Sequence, residues 1–214
     1  MIMKYDQLAN MKSMALCALA IASLAATPAM AGNKDEDEIR FPMVRNDAGA
    51  LQNAVPNARG RVKIESVGPV EIMDVKVWGL PPNTDFDFFV IQVPKAPFGL
   101  VWYQGDIETN KYGIGHQRFI GRFSIETFIF AQQPPAPAPQ VFKDQPFPDA
   151  SMNPTTNPIQ LYHLGLWFND PQDAVKAGAL GTVTAFNGEH HAGVQVLNTS
   201  NFPDDFGPLR HVTP

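Results

Sequence analysis

The chain has 214 residues, with 16 Lys and Arg against 21 Asp and Glu, and a single cysteine. The acidic balance argues against nucleic acid as a partner, because such a surface carries a basic excess. One cysteine, Cys17, excludes an intramolecular disulfide and leaves every residue after it without a thiolate metal ligand.

Met14 to Ala26 is almost purely small and apolar, too short to span a bilayer and of the length of a signal-peptide h-region. Ala29-Met30-Ala31 then offers the small residues that signal peptidase reads, so residues 1–31 are expected to be a signal peptide cleaved after Ala31. The start is either Met1 or Met11, and the product is secreted or periplasmic. Leu16 ahead of Cys17 is bulky where a lipoprotein signal needs a small residue. No later stretch approaches the ~18 apolar residues of a transmembrane segment. Losing Lys4, Lys12 and Asp6 with the leader leaves 14 basic and 20 acidic side chains. The remaining chain of about 180 residues suits one domain.

Residues 32–56, with the run Asn-Lys-Asp-Glu-Asp-Glu at 33–38, read as a flexible acidic leader. Arg61 to Val67 alternates apolar and charged residues, Val70 to Trp78 reads as a second strand, and Phe86 to Val93 is apolar on both faces, as a covered central strand would be. Between the last two, Pro81 and Pro82 forbid ladder donation and helix alike.

The stretch Val75-Lys-Val-Trp-Gly-Leu-Pro-Pro-Asn-Thr-Asp-Phe-Asp-Phe-Phe-Val90 resembles the corner of fibronectin type III domains, where an apolar strand, Gly-Leu-x-Pro and an aromatic-led strand join two sheets. It is also similar to the Gly-Leu-x-Pro crossing of CHRD and copper-zinc superoxide dismutase-like sandwiches. The resemblance covers about 16 residues and implies a sandwich architecture. Phe86 stands where the fibronectin-like corner has Tyr, which removes the corner's phenol hydrogen bond. Asp87-Phe88-Phe89 replaces the dismutase His-x-His, so copper ligands are missing there.

Further on, Phe98 to Gln104 reads as a strand, Thr109 to Gly113 as a reversing turn, and residues 118–130 as a long strand with Phe119, Phe123, Ile125 and Ile129 on one face. Eight prolines between Gln132 and Pro158 predict a long extended loop. Leu161 to Phe168 resumes the sheet. A short helix follows, with Asp170 as N-cap, Pro171 at its first position and Gly178 as its stop. Asn187-Gly188 between Thr182–Phe186 and Glu189–Leu197 predicts a tight hairpin, and the tail from Asn201 reads as irregular. The expected fold is all-β, an antiparallel two-sheet β-sandwich of immunoglobulin, fibronectin or jelly-roll type over residues 57–214, with one short helix and a Pro-rich loop at 132–158.

Candidate chemistry is sparse. His190 and His191 are adjacent on an expected strand and point to opposite faces, while Glu189 and His191 share one. Asp106 and Glu108 alternate ahead of Gly113, a pattern that suits a calcium loop, a carboxylate pair or an ordinary hairpin end. A metal set of Asp106, Glu108, His163 and His191 would hold calcium or zinc if the fold gathered it; otherwise these are solvent-facing polar residues and no cofactor is implied. Trp102, Tyr103, His163 and Trp167 are candidates for an aromatic surface that stacks on sugar rings or anchors a protein, with His163 and Trp167 on one strand face across Gly165. No Gly-x-Ser-x-Gly or phosphate loop is present, and no catalytic residue is assigned. Asn198-Thr199-Ser200 is a glycosylation sequon. The leading expectation is an exported noncatalytic domain acting by surface recognition or envelope assembly. The alternatives are a secreted hydrolase or metal-dependent enzyme with a nonlocal His and acid site, and an envelope component whose free sheet edge takes up a strand.

Overall fold

The computed structural model describes residues 38–131, 157–184 and 187–213, so the expected signal peptide at 1–31 and most of the expected loop at 132–158 lie outside the described residues. Within them the strands are β1 (Glu38–Arg45), β2 (Arg59–Val67), β3 (Val70–Trp78), β4 (Asp85–Ile91), β5 (Val101–Glu108), β6 (Gly115–Gly121), β7 (Ile129–Ala131), β8 (Asn157–Ile159), β9 (His163–Phe168) and β10 (Gln195–Asn198). Helix α1 spans Gly49–Ala54, α2 spans Pro171–Lys176, and a 3₁₀ turn covers Pro208–His211 within the tail expected to be irregular.

The all-β antiparallel expectation holds. Eight strands form one sheet in the order β5-β4-β9-β10-β1-β2-β3-β6, and β7 pairs with β8 apart from it. The sheet curls nearly into a barrel, so opposite walls of one sheet face each other across the core where two separate layers were expected. Its two edge strands are consecutive in sequence, and they meet through a Thr109–Gly115 bridge at their turn. Inside, alternate residues of every wall pack together, among them Phe41, Met43, Val62, Val75, Phe88 and Leu166. Phe88 of β4 and Phe119 of β6 stack across the seam with ring centroids 5.3 Å apart.

The reading of residues 32–56 as a flexible leader is overturned from Glu38 onward. Strand β1 lies between β10 and β2, Phe41 and Met43 are buried, and Leu51 of α1 has no exposure. The charge run at 33–38 hid an alternation that begins immediately after it. Pro42 fits because β10 pairs with β1 only at Val44 and Arg45, so no donor is needed on that side of Pro42.

Strand β3 matches its expected bounds, and β4 is covered on both sides as expected: Phe86 and Phe88 join the core, while Phe89 and Ile91 pack outside with Trp167. At the corner, Gly79 takes φ 70°, and a Cβ there would run into the Asn57 carbonyl. Helix α2 forms as its cues require, with the Asp170 carboxylate accepting from the Gln172 N–H at 2.7 Å.

Two strand expectations fail. The strand at 118–130 stops at Gly121, because the Phe123 N–H donates to the buried Glu71 carboxylate at 2.7 Å instead of to a neighbouring strand. Residues 182–184 form no strand, and β10 begins only at Gln195. The turn there is displaced: the Asn187 carbonyl accepts from the His190 N–H, and His190 holds the left-handed φ of 61°. Residues 185 and 186 lie outside the described residues.

Candidate functional site

Strand β5 carries an extra residue. Phe88 pairs with Gly105 but Phe89 pairs with Tyr103, so Gln104 has no partner and the strand is bulged. A bulge inverts the alternation beyond it. Tyr103 joins Asp106 on the outer face, against Phe89 at 5.6 Å between rings, and Trp102 falls opposite Val90 on the inner face. Gly105 permits this with φ 144°, and a Cβ would stand 3.0 Å from the Phe119 ring.

Across the seam, β6 also ends early. The Arg122 guanidinium donates to the Pro69 carbonyl and lies 3.7 Å from Glu71 and 3.6 Å from Glu126, which turns the chain away from β5. The two departures leave a pocket of about 400 Å³ walled by Val90, Trp102, Phe123, Phe128, Leu161 and Leu209. Gln104, Arg122 and Thr127 supply its polar groups. Trp102 is 59% exposed and Phe128 47% exposed, although Trp102 stands on the face that elsewhere forms the core. Its walls are chiefly apolar and aromatic, with few polar groups.

On the outer face, each predicted carboxylate faces another across the β4–β5 ladder: Asp106 opposes Asp87, and Glu108 opposes Asp85. Asp87 is 1% exposed, and its Oδ2 has no hydrogen-bond partner. Burial first, then the charges of Asp106 and Asp85, push its carboxyl up to about 7, against a smaller opposing effect of the Asn187 amide. Burial and the Asp106 charge also raise Asp85. The Tyr103 hydroxyl donates to Asp106 Oδ1 at 2.6 Å, and burial together with that bond holds the phenol well above its ordinary range. The buried Asp87 carboxyl is therefore able to keep a proton near neutral pH, directly opposite the exposed Asp106.

The remaining candidates are dispersed. His163 is fully buried; its Nδ1 accepts from the Thr199 hydroxyl at 2.9 Å, and its Nε2–H donates to the Pro203 and Asp204 carbonyls at 3.1 Å. Both nitrogens are engaged, and burial lowers the imidazole pKa, so the ring is a neutral structural link. Trp167 shares its strand face as expected, but that face is covered: Trp167 is fully buried between Phe89 and Phe98. The His163–Trp167 surface is therefore corrected to interior packing. His191 Nε2 lies 3.5 Å from Glu189, and its Nδ1 lies 3.2 Å from the Asn187 amide. Among the described residues no three His, Cys, Asp or Glu side chains gather as metal ligands, so Asp106, Glu108, His163 and His191 are not brought together. Asn198 of the sequon is fully buried, donating to Gln195 Oε1 at 2.9 Å, which closes it to glycosylation in the folded chain.

Neither a protein-family profile nor any curated protein matches the chain. Sequence reasoning missed Asp87 and the partners of Trp102 in the pocket. Asp87 had a visible signal, a carboxylate inside the apolar run Phe86 to Ile91. Phe128, Leu161 and Leu209 had none, because each reads as ordinary core or loop.

Proposed function

We propose that this is an exported, noncatalytic binding domain that takes a small apolar, ring-bearing molecule into the pocket between β5 and β6. One observation carries the reading: Trp102 stands on the core-facing side of the sheet, yet more than half of it is open to solvent. A ligand stacked on Trp102 and against Phe128 removes apolar surface that the fold leaves uncovered, at roughly 25 cal/mol per Å². The size of the pocket falls in the range used for small organic ligands. Export is supported by the apolar run and small residues that precede Gly32. The test is a tryptophan-fluorescence titration with naphthalene derivatives and medium-chain fatty acids. Saturable binding of one molecule per chain is expected, weakened about tenfold or more in Trp102→Ala and Phe128→Ala at unchanged thermal stability. Absence of saturable binding to any of these probes would refute it.

A further inference from the structure

The cations of this acidic chain are concentrated on the outer wall formed by β1, β2, β3 and β6. The registers place side chains there in rows across the strands: Pro42, Arg61, Lys76 and His116 in one, Arg40, Lys63, Asp74 and Arg118 in the next. Arg59 and Trp78 face each other one step beyond Arg61 and Lys76. Most of these charges are balanced. Lys63 pairs with Glu38 and Glu65, Arg40 with Glu38, and Arg118 and His116 with Asp74.

Arg59, Arg61 and Lys76 are different: all three are exposed, and among the described residues none has an ion pair. Arg61 and Lys76 are also directly opposed on neighbouring strands, an arrangement of like charges that destabilises a sheet. A net charge of −5 offers ample carboxylates that could have stood there. A cation cluster with no counter-charge among the described residues is explained if that counter-charge arrives with a partner.

We propose that this wall binds an anionic polysaccharide, with Arg59, Arg61 and Lys76 taking its charged groups and Trp78 a sugar ring. The cations stand about 5 Å apart across strands and roughly 7 Å apart along β2, a regular spacing suited to the repeated charges of an extended polymer. Trp78 is half-buried in this wall, so it offers a flush apolar surface beside the cations. An anionic bilayer would instead need a projecting apolar anchor beside them, and the exposed Ile120 lies in the row of Glu38 and Glu65. This surface is separate from the seam pocket and does not depend on it.

The test measures binding of the full chain to polygalacturonate and dextran sulfate at low and high salt. Neutral dextran, inorganic polyphosphate and vesicles of phosphatidylglycerol and phosphatidylcholine are the comparison probes. Both sugar polymers should bind at low salt, and Arg61→Gln with Lys76→Gln should weaken them about tenfold or more. Lys95→Gln with Arg210→Gln removes the same charge elsewhere and should change binding by no more than about twofold. Polyphosphate and vesicles should bind more weakly than either sugar polymer. The proposal is overturned by failure of both sugar polymers to bind, by an equal loss in the control pair, or by tighter binding of polyphosphate or vesicles.

Discussion

Replacing Asp87 by Asn should make the protein more stable at pH 8 and leave it nearly unchanged at pH 4. The Asp87 carboxyl is raised from 3.8 to about 7 in the folded chain. Between these values the folded state holds a proton that the unfolded state has released, so stability falls as pH rises. The contribution is full below about pH 4 and lost as pH passes 7, at about 1.4 kcal/mol per pH unit. Integrated over the window, the wild-type chain loses as much as roughly 4 kcal/mol that Asp87→Asn does not lose. Asn keeps the shape of the side chain and carries no charge at any pH. Urea or thermal unfolding of both proteins from pH 4.5 to 8.5 gives a difference curve in which other titrating groups cancel. For a domain of this size the gap at pH 8 corresponds to a difference in Tm on the order of 10 °C. A flat difference curve, or a variant less stable than wild type at pH 8, would refute the assignment of a buried proton to Asp87.

His163 has the opposite sign. Its pKa is lowered by burial, so stability should fall as pH drops below about 6.5, and imidazole NMR shifts should report an Nε2–H tautomer across that range; a ring that titrates at its ordinary value would contradict this. Gly105→Ala places a side chain at φ 144° against the Phe119 ring. It should destabilise by roughly 1–3 kcal/mol and weaken the pocket ligands together, measured by urea unfolding and fluorescence titration.

Where periodicity and capping act locally, the fold was legible. Strand β3, the two-sided burial of β4 and helix α2 follow from alternation, an unbroken apolar run, and the Asp170-Pro171 start with its Gly178 stop. The errors have nonlocal causes. Residues 122–128 keep a strand-like pattern, yet Glu71, about 50 positions earlier, captures the Phe123 N–H and ends the pairing. Near Asn187 the side chain bonds the His191 N–H and the Asn169 oxygen, which draws the turn out of the expected hairpin register. Alternation shows which residues share a face; it does not show whether a second wall belongs to the same sheet.

The site was legible in composition and illegible in placement, and Gln104 is the reason. Read with strict alternation, Trp102, Gln104 and Asp106 share one face and Tyr103 the other. The single unpaired residue at 104 reverses everything on its N-terminal side, sending Trp102 inward to the seam and leaving Tyr103 outside to donate to Asp106. One bulge thus separates the apolar pocket from the carboxyl pair while building a wall of each. The two sites stand back to back on β4 and β5, with Val90 and Trp102 inside, Asp87 and Asp106 outside.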